Sequence, residues 1–217
     1  MKPGMVEKEG FAALVLRLRA EGISDLDLLT AVEQTPRSQF VPAQFSASAY
    51  SSRTIPIECG SFMEGADMAL RILARLQVKP GQRVLEIGTG SGFMTAVIGR
   101  MAERVLSVER YKTLVTQAQA RIDALGIRGV VLRQADGGNG MPGEGTFDRI
   151  LVTAAFPTMP RFYADQLTHG GSMLAPLMID DETCMMVRLT KTGSRFERED
   201  LFAVPYLPIV PHIAAQL

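Results

Sequence analysis

Cysteine, histidine and tryptophan are scarce in this chain, and their scarcity argues against several kinds of functional site. The 217 residues include two cysteines, two histidines and no tryptophan. Cys59 and Cys184 lie too far apart to match a metal-ligand spacing, and neither His169 nor His212 belongs to a zinc motif. We therefore expect no metal site, and we expect both cysteines to be buried thiols.

An excess of charge and a long apolar run are also missing. The 23 basic residues cancel the 23 acidic residues, so no overall field favours nucleic acid or an anionic membrane. No apolar run approaches the length of a membrane span, and the N-terminus lacks the pattern of a signal peptide. We expect a cytoplasmic enzyme that binds neither nucleic acid nor membrane. The composition indicates no oligomeric state.

A glycine-rich turn is the central feature of the sequence. Residues 83–87 form a short apolar run, glycines then alternate with single residues from Gly88 to Gly92, and helical spacing resumes at Phe93. This pattern predicts a strand, a tight turn and a helix, as in nucleotide-binding sites. Glycine has no Cβ, and the first turn of a helix has unpaired N–H groups, so a ligand can lie directly against such a turn.

The turn differs from the dinucleotide fingerprint in two ways. Its G-x-G-x-G spacing, followed by Phe93, is not the G-x-G-x-x-G of nicotinamide enzymes. Glu86 also places a carboxylate inside the strand, where it would repel a pyrophosphate. A ligand with a cationic end, such as S-adenosylmethionine with its sulfonium and ammonium groups, fits Glu86 better. A nicotinamide dehydrogenase is the disfavoured alternative.

Helices and strands alternate after the turn. The expected strands cover residues 83–87, 105–109, 129–133 and 147–153. The expected helices cover residues 66–76, 93–98, 112–125 and 161–167. This alternation predicts a doubly wound, mostly parallel, Rossmann-like α/β sheet. Strand-like segments at 172–177, 184–190 and 195–204 predict an antiparallel C-terminal hairpin at one edge.

The first third of the chain predicts a helical cap and a long loop. Apolar residues recur with helical spacing from Phe11 to Leu18, and a second helix is expected between its N-cap Ser24 and Pro36. From Pro36 to Glu64 the periodicity is lost. Because long ordered loops are often functional, we expect this segment to pass over the glycine turn.

Carboxylates follow two of the expected strands. Ligands of open parallel sheets bind at the carboxyl ends of the strands. Glu109 ends the second strand, about 20 residues after Gly88, where an acidic side chain can accept hydrogen bonds from ribose hydroxyls. Asp136 ends the third strand, where it could accept a hydrogen bond from an adenine amino group. Together with the turn, these two residues predict an adenosine pocket.

Several segments together resemble the class I S-adenosylmethionine-dependent methyltransferases. These segments are residues 86–92, 107–110, 135–137 and 152–155. The chain is more closely similar to the protein-L-isoaspartate (D-aspartate) O-methyltransferase family. The segments that extend this resemblance are residues 36–42, 49–50, 55–57, 170–171 and 206–210.

The resemblance implies S-adenosylmethionine as cofactor and methyl transfer to the side-chain carboxylate of L-isoaspartyl (D-aspartyl) residues in damaged proteins or peptides. It implies that the turn holds the amino-acid portion of the cofactor, Glu109 the ribose, and Asp136 with Gly137 the adenine side. The expected cofactor-binding residues are Glu86, Gly88, Thr89, Gly90, Ser91, Gly92, Glu109, Arg110, Asp136, Gly137 and Thr153. A carboxylate is already ionised near neutral pH, so positioning and exclusion of water can suffice for catalysis.

The substrate loop departs from the family pattern Gly-Gln-Thr-Ile-Ser-Gln-Pro. Phe62 stands in place of the threonine, Glu64 of the serine and Gly65 of the glutamine, while Ser51 replaces an aspartate. A carboxylate beside an anionic substrate disfavours having both groups charged. Glu64 therefore points away, or is protonated, or the acceptor is not an isoaspartyl carboxylate. We expect Ser61 and Glu64 to be the catalytic residues.

Two alternatives stay open at this point. A related methyltransferase could use a different acceptor, such as a small molecule, for which Glu64 would serve as base or anchor. A cofactor-binding protein without turnover is the other alternative. In all three cases we expect a single domain over residues 1–217, with the helical cap and substrate loop in 1–64 and the cofactor-binding core in 65–217.

Overall fold

Helices and strands alternate along the chain in the computed structural model, which describes residues 3–180 and 183–214. The α-helices of these residues are α1 (Pro3–Ala20), α2 (Leu26–Glu33), α3 (Ala66–Leu76), α4 (Phe93–Met101) and α5 (Lys112–Ala124). The strands are β1 (Ile55–Pro56), β2 (Phe62–Met63), β3 (Arg83–Ile87), β4 (Arg104–Glu109), β5 (Val130–Gln134), β6 (Phe147–Val152), β7 (Leu167–Met178), β8 (Cys184–Thr192) and β9 (Arg195–Val204). Short 3-10 helices occupy Arg37–Phe40, Ala43–Ser48, Glu58–Gly60 and Arg161–Gln166.

The main sheet has the strand order β5-β4-β3-β6-β7-β8-β9 in the described part of the chain. Strands β5, β4, β3, β6 and β7 run parallel, and β8 and β9 add to the β7 edge in antiparallel pairs. The predicted Rossmann-like sheet and its antiparallel C-terminal hairpin are therefore confirmed. Strand β3, which leads into the glycine turn, lies between β4 and β6.

The register of β3 brings three predicted site residues together. Ile87 pairs with Val108 on β4 and with Val152 on β6. Gly88, Glu109 and Thr153 follow these three residues directly, so they emerge side by side at the carboxyl ends of adjacent strands. This is the edge of an open parallel sheet at which ligands bind.

Apolar clusters cover both faces of the sheet. Alternate residues of a strand face opposite sides, and Val84 accordingly joins the cluster formed with α3, α4 and α5, while Leu85 and Ile87 join the other cluster. The second face is covered by loops and by the 3-10 helix Arg161–Gln166. An α-helix was expected there, but the segment between Pro160 and β7 is too short for more than two tight turns.

The N-terminal helices extend the helical layer on one face of the sheet. Helix α1 packs on α3 and helix α2 packs on α4, and their buried leucines share one core with those helices. Helix α2 starts one residue later than predicted, because Asp25 rather than Ser24 caps it. The Asp25 carboxylate accepts the amides of Asp27 and Leu28 at 3.0 and 3.1 Å, which satisfies two free N–H groups.

The long segment without periodicity contains short elements. Three 3-10 helices and the antiparallel pair β1–β2 lie between Pro36 and Glu64. Elements of two to six residues are too short to give a periodic signal. No helix among the described residues is long and apolar enough to span a membrane.

Candidate active site

Only glycine fits at two positions of the turn, because neighbouring atoms leave no room for a Cβ. Gly88 and Gly92 adopt φ values of +99° and +85°, which side chains rarely tolerate. A Cβ on Gly88 would lie 2.2 Å from the Thr153 hydroxyl, and one on Gly92 would lie 2.8 Å from the Cβ of Ala118 on α5. The Thr153 hydroxyl lies 3.1 Å from the Gly88 carbonyl oxygen, to which it donates. The turn is therefore fixed from β6 on one side and from α5 on the other.

A cavity opens where the turn meets the carboxyl ends of the parallel strands. Its wall includes Ser61 and Glu64, the two expected catalytic residues. The expected cofactor-binding residues in the wall are Gly88, Thr89, Gly90, Ser91, Glu109, Arg110, Asp136, Gly137 and Thr153. The structure therefore brings most of the predicted site to one place, and Glu86 and Gly92 are not part of this wall.

Glu109 is held in a fixed orientation at the cavity. Its Oε2 accepts the Gly90 amide at 3.0 Å and its Oε1 accepts the Tyr111 amide at 3.1 Å. A carboxylate oxygen can accept more than one hydrogen bond, so both oxygens retain acceptor capacity. Glu109 lies beside the turn and is suited to bind a pair of neighbouring hydroxyl groups.

Asp136 is tied to the backbone at two points. Its Oδ1 accepts the Gly138 amide at 2.8 Å and its Oδ2 accepts the His212 amide at 2.7 Å. Partial burial alone would raise the pKa of Asp136, but the two amides together with the charges of His212 and Arg110 hold the pKa below the usual value. Asp136 is therefore an ionised acceptor at neutral pH.

Residues 206–214, here called the C-terminal strap, cross the cavity next to Asp136. The Ala155 amide donates to the Leu207 carbonyl and the Ile209 amide donates to the Ala155 carbonyl, both at 2.8 Å. Ala214 donates to the Arg110 carbonyl at 3.1 Å. Strap residues 206–210 line the cavity. The predicted site residues did not include the strap, although residues 206–210 contributed to the family resemblance.

Glu86 lies beneath the turn, contrary to the expected direct contact with a cationic ligand. It is fully buried, and its Oε2 accepts hydrogen bonds from the hydroxyls of Thr95 and Ser107. Ser107 is in turn 2.6 Å from the Thr89 hydroxyl in the cavity wall. Burial raises the pKa of Glu86 to about 7, against the effect of the two hydroxyls. Glu86 therefore supports the turn from below and does not line the cavity.

The other end of the cavity is built by the substrate loop and the strap. The Tyr206 hydroxyl donates to the Glu64 carboxyl, and the rings of Phe62 and Tyr206 stack with centroids 6.3 Å apart. Arg37 donates through Nη2 to the main-chain carbonyl of Glu64. Burial raises the pKa of the Glu64 carboxyl. The sequence left three possibilities: Glu64 points away, is protonated, or faces an acceptor other than an isoaspartyl carboxylate. Because Glu64 lines the cavity, the structure disfavours the first.

The two cysteines differ in burial, and only one of them lines the cavity. Cys184 is buried as expected, whereas Cys59 is only half-buried and lines the cavity with a φ of +62°. Among the described residues, no group of three or more His, Cys, Asp or Glu side chains could hold a metal ion.

Comparison with known proteins decides the family. The sequence model described as Protein-L-isoaspartate(D-aspartate) O-methyltransferase matches residues 9–214. The chain belongs to this family. A protein-L-isoaspartate O-methyltransferase from Rhizobium meliloti (strain 1021) is 59% identical over 204 residues, covering 94% of this chain and 100% of the relative. Another from Parvibaculum lavamentivorans is 38% identical over 205 residues, covering 94% and 92% of the two chains.

Solved structures agree on the fold. A Plasmodium falciparum chain crystallised with S-adenosyl-L-homocysteine has a TM-score of 0.79 to this chain at 24% identity, covering 91% of this chain and 97% of the other. A solved protein-L-isoaspartate O-methyltransferase has a TM-score of 0.81 at 23% identity, covering 94% and 67%. The family resemblance found in the sequence is confirmed.

The departures from the pattern of the isoaspartate methyltransferase family lie in the wall of the cavity or against it. Phe62 and Glu64 line the cavity. Gly65 caps α3, and a Cβ there would lie 2.1 Å from the Ser52 carbonyl oxygen. Because that oxygen belongs to the backbone, a glutamine at residue 65 would require the 51–52 segment to move. Glycine at residue 65 is therefore required by its close contact with the 51–52 segment.

Proposed function

We propose that this chain transfers the methyl group of S-adenosylmethionine to the free carboxylate of L-isoaspartyl and D-aspartyl residues in damaged proteins. The observation that carries this proposal is the 59% identity, over the whole length of the relative, to a protein-L-isoaspartate O-methyltransferase. In an isoaspartyl residue the main chain runs through the side-chain carboxyl, so the carboxylate left free is the α-carboxylate. In an isoaspartyl residue the acceptor is therefore the α-carboxylate, whereas in a D-aspartyl residue it is the side-chain carboxylate.

The residues of the cavity fit S-adenosylmethionine. Glu109 offers two fixed oxygens for the ribose hydroxyls, and Asp136 offers an ionised acceptor for the adenine amino group. The main chain of residues 88–91 faces the cavity and can bind the amino-acid portion. When bound, this cofactor supplies an electrophilic methyl group on a sulfonium. We assign Arg110, Gly137 and Thr153 to the same cofactor site.

The chain contributes to the reaction by positioning and by excluding water. The acceptor carboxylate is ionised at neutral pH because its ordinary pKa is about 4, so no base has to remove a proton. The stacked rings of Phe62 and Tyr206 form an apolar wall beside Ser61 and Glu64. An apolar wall limits the access of water and restricts the orientation of the acceptor, and both effects lower the barrier of a displacement.

The chain forms one domain in this proposal. We propose one domain in which residues 59–64 form the acceptor side and the strands β3, β4 and β6 form the cofactor side. The domain limits at residues 1 and 217 lie outside the described residues. Helices α1 and α2 share a core with α3 and α4. A boundary near residue 64 therefore separates the acceptor-binding part from the cofactor-binding part, but it does not separate two independently folding units. We also propose a cytoplasmic location.

Methylation of an aged protein tests this function. A protein stored at elevated temperature to form isoaspartate, and a fresh sample of the same protein, are each incubated with S-adenosylmethionine labelled in its methyl group. We expect label in the aged sample and little in the fresh one. Mild base should release the label, because a methyl ester hydrolyses readily.

Other outcomes of this assay identify the alternatives. Equal, base-stable labelling of both samples would indicate a different acceptor. Binding of S-adenosylmethionine in a calorimeter without labelling of either sample would indicate a cofactor-binding protein without turnover. Either result contradicts the proposed function.

A further inference from the structure

Glu64 presents an electrostatic problem in the acceptor part of the cavity. It is 6% exposed and lines the cavity beside Ser61 and Phe62. An ionised carboxylate at this place would repel the carboxylate of an isoaspartyl residue, and low exposure to water strengthens the repulsion. A carboxyl group is compatible with an anionic acceptor only if a cation neutralises it or if it carries a proton.

Arg37 forms no ion pair with the Glu64 carboxyl. Its guanidinium is fully buried over the ring of Phe93, at 4.4 Å from the ring centroid. Its Nε donates to the Ala49 carbonyl at 2.7 Å, and its Nη2 donates to the main-chain carbonyl of Glu64. No ion pair within residues 3–180 and 183–214 joins Arg37 to the Glu64 carboxylate. The cation therefore holds the backbone of the substrate loop.

Tyr206 is a neutral partner of the Glu64 carboxyl. Its hydroxyl bonds to Oε1 of Glu64, and burial raises the pKa of Tyr206 well above its usual value. A phenol that keeps its proton donates one hydrogen bond and cannot compensate a full negative charge. Because Tyr206 donates to Oε1, a proton on the Glu64 carboxyl would be carried by Oε2.

We propose that Glu64 binds the isoaspartyl carboxylate as a neutral carboxylic acid, donating its Oε2 proton in a hydrogen bond to one carboxylate oxygen. This inference rests on the proposed function. Glu64 thereby replaces the serine hydroxyl of the family pattern with another hydroxyl donor of longer reach. Tyr206 is a positioning residue that fixes the carboxyl in the donating orientation.

The charged groups around Glu64 agree with a neutral carboxyl. Burial is the largest influence and raises the pKa of Glu64, while the Tyr206 hydroxyl, the main-chain amide of Glu64 and the charge of Arg37 oppose it without cancelling it. Glu86 on β3 is a second buried carboxyl. Its pKa is raised first by burial, and the charge of Glu64 adds to this increase. Ionising Glu64 would therefore place a charge near both Glu86 and the acceptor.

The pH dependence of turnover tests the proposal. In the wild-type chain, kcat/KM for an isoaspartyl peptide should fall about tenfold for each pH unit above the pKa of Glu64, because the deprotonated carboxyl repels the peptide. Glu64→Gln keeps a hydrogen-bond donor that does not ionise, so its profile should stay flat over that range. The loss in the wild-type chain should appear in KM. Tyr206→Phe should raise KM and retain the pH dependence.

An infrared measurement tests the protonation state without turnover. The spectrum of the Glu64→Gln variant is subtracted from that of the wild-type chain, both with S-adenosylhomocysteine and an isoaspartyl peptide bound. We expect the difference to contain the C=O stretching band of a protonated carboxyl. The antisymmetric band of a carboxylate would overturn the proposal, as would pH profiles of kcat/KM that are the same in both proteins.

Failure of folding and failure of the proposed function are distinguished by controls. The thermal midpoint of each variant is measured first, and Glu64→Ser replaces Glu64→Gln if the latter does not fold, with the same expected loss of pH dependence. A wild-type chain that methylates no isoaspartyl peptide contradicts the proposed function itself. A wild-type chain that is active while Glu64→Gln is inactive at every pH contradicts only the neutral-acid inference.

Discussion

Glu109→Ala is expected to weaken the binding of S-adenosylmethionine about 100-fold. Two hydrogen bonds from ribose hydroxyls to a carboxylate contribute about 3 kcal/mol together, which corresponds to this factor. The variant also removes the acceptor of the Gly90 and Tyr111 amides, so the turn itself should become less ordered. The dissociation constant is measured by calorimetry, which does not depend on turnover.

Two control variants make the Glu109 result specific. Glu103→Ala removes an exposed carboxylate just before the opposite end of β4 and should leave the dissociation constant unchanged. Glu109→Gln retains one oxygen acceptor and should give an intermediate value. If Glu109→Ala binds the cofactor as tightly as Glu103→Ala, Glu109 does not hold the ribose.

Glu86→Gln is expected to remove a pH dependence of stability. Burial raises the pKa of Glu86 from 4.5 to about 7 in the folded chain. Between these values the folded chain keeps a proton that the unfolded chain has lost, so stability falls as the pH rises through this window. A shift of this size corresponds to about 3 kcal/mol of unfolding free energy, present below the lower pKa and lost above the higher one.

Denaturant unfolding of both proteins across this pH range measures the effect. The free energy of unfolding of Glu86→Gln, relative to wild type, should rise by about 3 kcal/mol between about pH 5 and about pH 8. Thr95 and Ser107 keep an oxygen acceptor in the variant, so their hydrogen bonds need not be lost. Parallel stability curves for the two proteins would show that Glu86 ionises in the folded chain as it does in water.

Local patterns predicted most of the fold. Helix α3 and strand β9 have the predicted limits. The amphipathic spacing of α3 and the glycine turn that precedes β9 are both properties of adjacent residues, which a sequence shows directly. The 3-10 helix before β7 was mistaken for an α-helix. Its six residues are too few to distinguish a repeat of about 3.0 residues per turn from one of about 3.6. The N-cap of α2 was misplaced by one residue because Ser24 and Asp25 are adjacent and both are common N-cap residues.

The meeting of four candidate site residues at the cavity could be predicted because each of them ends or follows a strand. Gly88, Glu109, Asp136 and Thr153 lie at the carboxyl ends of parallel strands, and the topology alone brings them together. The side of the sheet that Glu86 faces could not be predicted, because a strand buried on both faces shows no alternation of polar and apolar residues.

Contacts between distant segments could not be predicted from local patterns either. Gly92 packs on Ala118, and Glu64 pairs with Tyr206 across 142 positions of sequence. The strap that carries Tyr206 is irregular, so no periodic signal marks it. Both contacts join residues that are far apart in the sequence, so they became visible only in the structure.

Methyl transfer to paired peptides tests the proposed function most directly. Two synthetic peptides share one sequence and differ only in carrying isoaspartate or aspartate at a single position, and each is incubated with the protein and labelled S-adenosylmethionine. The proposed function predicts one methyl ester per isoaspartyl peptide, located by mass spectrometry on the free α-carboxylate of that residue, and no ester on the aspartyl peptide. Equal labelling of both peptides, or labelling of neither, would contradict it.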